Sequence, residues 1–195
     1  MLWNRNFSLL IAANILLYIA VYMLFPLIHR WMIQAWSCSE LQAAGVTAVF
    51  GIALFLPGAF NNYLVDTFSR KNVCTRSIML LALVGILYPY VSSVEMVVLL
   101  RILQGALFGI VLMATGSTLA IDVTPSNNRN AANRVFTWSS IVGMLSGIII
   151  GIEGGNYLSF DTLLYFSAFL CALYCAYSPS KIFFYCHIMF LPENI

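Results

Sequence analysis

Charge is scarce in this sequence. Asp, Glu, Lys and Arg together make up 8% of the residues, against about 25% in a typical soluble domain, and the shortage excludes an ordinary water-soluble fold. Histidine is scarcer still, with only His29 and His187, in separate regions. The five cysteines, Cys38, Cys74, Cys171, Cys175 and Cys186, lack the paired spacing of a metal site. They read as packed or membrane-facing thiols, and no metal or cofactor is expected. There is no Gly-x-Ser-Gly nucleophile motif: Met144 stands ahead of Leu145-Ser146-Gly147, and His187 lies beyond the last apolar block. An intramembrane serine protease is thereby excluded, and no enzymatic activity is expected. No segment resembles the carbonyl filter or charge ring of a channel. No nucleic-acid partner is expected.

The sequence does contain apolar length. Hydrophobic residues are 62% of the chain, and they fall in blocks close to the roughly 20 helical residues needed to cross a bilayer. The first block, Phe7–Ile28, carries no charge. It is too long for a cleavable signal, and similar blocks follow it. Six spans are read: residues 7–28, 41–65, 76–91, 96–121, 134–154 and 162–177. The fold class is therefore all-α, a polytopic membrane protein of six transmembrane helices, with the lipid bilayer as its first partner.

The sparse charges are distributed unevenly. Arg5, Arg70, Lys71, Arg76, Arg129, Arg134 and Lys181 group on one side of the six spans, and only Arg30 on the other. Lys and Arg accumulate in cytoplasmic loops, so both termini are expected inside, with Trp31 and Trp36 in the first outer loop. Asp66, Arg70, Lys71 and Arg76 crowd into the loop between spans two and three. Orientation alone does not require Asp66, and a carboxylate there can pair or cap a neighbouring helix. Arg101 lies a few residues inside the fourth span. An intramembrane charge is costly and usually functional, but an arginine so near the end of a span can also snorkel to the interface.

Three stretches carry a resemblance to a known family. "NYLVDTFSRK", Asn62–Lys71, resembles the loop signature of the major facilitator superfamily, with Leu64, Asp66, Arg70 and Lys71 in place. "RILQGALFG", Arg101–Gly109, resembles that family's fourth-helix motif, including Gln104, Gly105 and Gly109. "DVTPSNNRNAANR", Asp122–Arg134, is similar to its loop between helices four and five. Span five carries Gly143, Gly147 and Gly151 at four-residue spacing, hence on one face suited to close helix packing. It resembles the glycine-rich fifth helix of antiporters in the same superfamily, with Ile152 where that motif has Pro.

The resemblance is to a bacterial-type carrier and covers roughly residues 7–178. It implies secondary active transport of a small-molecule substrate, proton-coupled and with efflux as one direction, in the bacterial cytoplasmic membrane. It implies a cytoplasmic charge relay of Asp66, Arg70, Lys71, Asp122 and Arg129. It associates Arg101 with substrate handling or coupling, beside Gln104. Helices one, two, four and five line the family's cavity, which brings in Asn14, Tyr18 and Tyr22, one face of span one. Asn14 and Tyr18 are the expected partners of Arg101. The family has two six-helix halves, and the signatures matched here belong to the amino-terminal one. Residues 1–178 are read as that bundle, and 179–195 as an atypical tail. Two readings follow: a truncated, non-transporting membrane fragment, or a half-transporter working as a homodimer or with a separate second half.

Overall fold

The computed structural model describes residues 5–60, 70–118 and 126–189, with side chains within 5–58, 72–116 and 127–175. Among the described residues every regular element is helical. Hydrocarbon offers no partner for a free backbone N–H or C=O, and a helix satisfies both within one segment. The elements are α1 (Arg5–Tyr22), α2 (Leu24–Trp36), α3 (Glu40–Ala53), α4 (Arg70–Leu87), α5 (Val94–Thr118), α6 (Arg129–Tyr157) and α7 (Phe160–Met189). Short 3₁₀ turns lie at Leu56–Phe60, Tyr88–Tyr90 and Ser126–Asn128.

Among the described residues, five stretches are long and apolar enough to cross a membrane: Arg5–Trp36, Glu40–Gly58, Asn72–Tyr90, Val94–Gly116 and Arg129–Tyr157. A sixth apolar run, Phe160–Cys175, opens α7, and its helix continues without interruption through Pro179 to Met189. The backbone is therefore helical through residues 179–189 of the segment read as an atypical tail.

The first span differs most from expectation. It does not end at Ile28. It breaks at Met23 and resumes as α2 to Trp36, so Trp31 and Trp36 are helical residues and do not lie in a loop. Two physical causes act. Pro26 has no N–H and its ring crowds the carbonyl four residues back, which favours a break one turn earlier. Beyond the break, Leu24, Leu27, Ile28 and Met32 recur at helical spacing and are buried, so the amphipathic pattern carries the helix past Arg30. Ser37, with φ of 52°, ends it in the left-handed conformation. A capping box follows, in which the Ser39 hydroxyl accepts from the Gln42 N–H at 3.3 Å and Gln42 Oε1 accepts from the Ser39 N–H at 3.1 Å. It starts α3, which stops at Ala53, well before residue 65, ahead of the 3₁₀ turn around Pro57.

The first span is central to the bundle. α1 packs on α6 and α7, and α2 on α3 and α6; α4 joins α5 to α7, and α3 lies on α5. One continuous core runs from Ala13 to Tyr174 through α1 to α5 and α7, while α6 contributes Ala132 to a smaller cluster with Phe7 and Leu10. Exposed apolar side chains cover the outside, among them Ile52 on α3, Phe55 just beyond it, and Trp138, Leu145 and Ile149 on α6. Such an exterior suits lipid or another helical body.

Candidate functional site: a polar cavity on the first helix and an enclosed arginine

Two glycine contacts position the candidate residues. On α6, Gly143, Gly147 and Gly151 lie on one face against α1 and the break at Met23. A Cβ at 143 would stand 2.7 Å from Tyr18 Cβ, and one at 147 would stand 2.9 Å from the Ile19 carbonyl oxygen. On α5, a Cβ at Gly105 would collide with the Phe50 carbonyl oxygen and lie 2.8 Å from Ala53 Cβ, and one at Gly109 would reach the Leu54 carbonyl oxygen at 2.5 Å. Both helices lie against their neighbours at backbone distance, which only small residues permit.

The α5–α3 approach encloses Arg101, which is 0% exposed. Its Nη1 donates to Gln104 Oε1 at 3.1 Å, and its Nη2 to the Leu24 carbonyl oxygen at 3.2 Å. The Tyr88 hydroxyl donates to the same Gln104 oxygen at 3.0 Å. The guanidinium carbon lies 4.9 Å from the centre of the Phe25 ring, 5.9 Å from Phe50 and 6.0 Å from Tyr88. Aromatic faces and carbonyl oxygens stand in for a counter-ion. None of these partners is an acid, and Nε has no partner at all among the described residues. A buried cation so placed carries a desolvation cost of several kcal/mol.

The Asn14 cluster is separate. Asn14, also 0% exposed, donates from Nδ2 to Ser139 Oγ and Ser140 Oγ, each at 2.8 Å. Both hydroxyls in turn donate to the Phe136 carbonyl oxygen, at 2.7 and 3.1 Å. Because the serine protons are committed there, the serine oxygens are free to accept from the amide. Asn14 Oδ1 is left without a partner among the described residues. One turn along, Tyr18 and Tyr22 stack with ring centres 5.7 Å apart. With Phe136, Thr137, Ser140 and Met144 they line an open cavity of about 360 Å³.

Asn14 and Tyr18 are thus not the partners of Arg101. Leu24, which Arg101 holds, lies ten residues beyond Asn14, about 15 Å along the helix axis. Between the two clusters, Tyr22 stacks on Phe25 at 4.9 Å, and Phe25 meets Phe50 edge-on at 5.0 Å. These rings seal the arginine from the cavity. Gln104, expected beside Arg101, does touch it. Asp66 and Asp122 of the expected charge relay lie outside the described residues, as do the side chains of Arg70 and Lys71. Arg129 is exposed at the first residue of α6. Sequence reasoning passed over Ser139, Ser140 and Tyr88. The adjacent serines inside an apolar helix were a visible signal, whereas the value of Tyr88 depends on Gln104 being opposite it.

The Asn14 cluster allows fold to be separated from function. Leucine is nearly isosteric with asparagine. Asn14→Leu removes two inter-helix hydrogen bonds, worth about 0.6 kcal/mol each in a membrane, but it also removes a desolvated carbonyl oxygen that has no partner. The expected outcome is thermal stability within about 1 kcal/mol of the parent in detergent, with solute binding weakened because Asn14 no longer fixes Ser140, which lines the cavity. A large fall in stability would make Asn14 a packing residue only.

A bundle of spanning helices with a recess opening on one side and a sealed cation behind it defines a multi-pass helical membrane protein. The sequence profile of the Major Facilitator Superfamily matches residues 10–185, and the chain belongs to that family. It is similar to a Staphyloferrin B transporter of Staphylococcus aureus (strain NCTC 8325 / PS 47), with 27% identity over 191 residues, covering 93% of this chain and 44% of that protein. The chain therefore spans less than half the length of this curated relative.

Proposed function

We propose that this bundle forms one wall of a secondary transporter for a small solute, driven by a proton gradient, in a bacterial cytoplasmic membrane. The observation that carries the reading is the cavity lined by Tyr18, Tyr22, Thr137 and Ser140. It sets hydroxyl groups among aromatic rings and is open on one side, within a bundle that exposes many large apolar side chains. Carriers of this kind bind substrate between two helical bodies and expose it alternately by rocking one against the other. A second six-helix body would close the open side, whether it belongs to the same polypeptide, to a separate chain or to a second copy. Arg101 takes part when the Tyr22–Phe25–Phe50 rings part. Its uncommitted Nε–H and its lack of an acidic partner suit it to meet an anionic group or to sense a proton nearby; the arginine of the family-like motif supports the coupling role.

The relative's solute is the first to test. Vesicles from cells with and without the chain would be loaded with labelled staphyloferrin B, with and without a protonophore. Movement that needs both the chain and the gradient is expected. Identical movement with and without the chain, for this solute and for organic anions, sugars and amphipathic drugs alike, would overturn the proposal.

Orientation is testable in the same cells. α6 has 29 residues, about 43 Å at 1.5 Å per residue, which exceeds a hydrocarbon core of about 30 Å. In a cysteine-free background, cysteine at position 129 should react with a membrane-impermeant maleimide only from the cytoplasmic side, and cysteine at 156 only from outside. The reverse pattern would invert the assignment drawn from the basic residues.

A further inference from the structure

At the end of the bundle remote from most of its basic residues lies a second recess, unconnected with the carrier cavity. It has a volume of about 230 Å³ and lies between α2 and the α6–α7 junction, lined by Leu27, Arg30, Trp31, Gln34, Ser159 and Phe160 among others. One wall is a stack of rings. Trp31 lies parallel to Phe160 at 4.8 Å, tilted by only 5°, and it also rests on Trp36 at 4.8 Å. Arg30 forms the polar side. Its Nη1 donates to Asn156 Oδ1 at 2.8 Å and to the Gly155 carbonyl oxygen at 3.3 Å.

Both acceptors are neutral, so the guanidinium is held in place but its charge is not cancelled. An arginine has five N–H donors. The two on Nη1 are committed, and the three on Nε and Nη2 have no partner among the described residues. That free edge has the geometry that grips a carboxylate or phosphate through two parallel hydrogen bonds. Gln34 and Ser159 add neutral polar groups, while Leu27, Trp31 and Phe160 supply an apolar wall. Asp161 and Glu153 are the acids nearest in sequence; neither lines the recess. A basic residue on this side also runs against the usual bias of membrane proteins, so a specific use for it is reasonable.

We propose that this recess binds an oxyanion, a phosphate or carboxylate group, between the free edge of Arg30 and the Trp31–Phe160 wall. The group comes either from the headgroup of an acidic phospholipid in the adjacent leaflet or from a soluble solute. Trp31 reports occupancy directly. The full chain, with Trp3 and Trp138 replaced by Phe, would be placed in phosphatidylcholine nanodiscs and its fluorescence followed in two arms. One raises the phosphatidylglycerol fraction; the other titrates inorganic phosphate and citrate against chloride at matched ionic strength. A saturable change is expected in at least one arm. Response to lipid alone identifies a headgroup site, and response to the soluble anions alone identifies a solute site. Arg30→Gln should weaken the response at least tenfold. Because that change also loosens α2 from α6, Asn156→Asp is the stricter variant. It keeps the tie and places a carboxylate on the guanidinium, so binding should fall at least tenfold with thermal stability kept or raised. No saturable change in either arm, or a change that Asn156→Asp leaves intact, would overturn the proposal.

Discussion

Replacing Arg101 by methionine should reduce solute movement by a hundredfold or more while the protein still inserts and folds. The size of the effect follows from the site. Arg101 is the only charged side chain among the fully buried residues described, and its partners are carbonyl oxygens and rings with no acid among them. Removing one member of a buried ion pair strands the other charge and destabilises by about 3–5 kcal/mol. No such charge is stranded here. Methionine fills much of the same volume, and the main losses are one hydrogen bond to Leu24, one to Gln104 and the ring contacts, offset by the relieved desolvation of the cation. Thermal stability should therefore change by no more than about 2 kcal/mol. A hundredfold loss of activity corresponds to about 2.7 kcal/mol, which falls on function because the fold no longer needs the charge. Arg101→Lys should not restore activity, since a compact ammonium cannot hold Leu24 and Gln104 from two separate nitrogens. Vesicle transport and detergent melting, measured side by side, decide the matter. Full transport by Arg101→Met would reduce this arginine to a packing device.

The largest expected loss of stability comes from Gly151→Leu. A Cβ at 151 would collide with the Met23 carbonyl oxygen and stand 2.7 Å from Pro26 Cγ. The obstacle is backbone and a proline ring, neither of which can rotate away, so α6 would have to move off the first span. That contact is the most extensive in the bundle, and it also holds the Asn14–Ser139 hydrogen bond. Gly151→Ala should cost about 1–3 kcal/mol, the usual range for overpacking, and Gly151→Leu should leave little folded protein. Gly45→Ala is the control. A Cβ there meets nothing within 4 Å, so the change should be neutral or should stabilise α3 by about 0.5–1 kcal/mol. Equal unfolding midpoints for Gly151→Ala and Gly45→Ala, read by fluorescence in detergent, would show that α6 lies less tightly against α1 than these distances require.

Scarce charge and long apolar blocks suffice for a helical membrane bundle, because bilayer thickness and backbone hydrogen bonding leave a chain of this composition few alternatives. That much is legible in the amino-acid sequence. The four-residue spacing of Gly143, Gly147 and Gly151, and the spacing of Arg101 with Gln104 and Gly105, set single faces of single helices; the first face lies against the first span, whereas the second encloses Arg101 and packs Gly105 on α3. Helix ends are less legible. The break at Met23 and the continuation to Trp36 reflect a balance between one proline and the amphipathic pattern beyond it.

The tertiary structure alone decided which faces meet. Arg101 reaches Leu24 across 77 residues of chain, and Asn14 reaches Ser139 across 125. No local pattern states such a pairing. It follows from how closely the glycines let α5 approach α3 and α6 approach α1, and from where the first span breaks. The amide and the guanidinium, which the sequence suggested as partners, end about three helical turns apart. The sequence thus determined the solvent this chain lives in and which of its residues are out of place there, since both follow from the cost of burying polar groups in hydrocarbon. The partners of those residues were left to the packing of helices distant in the chain, because that is where each buried donor must find its acceptor.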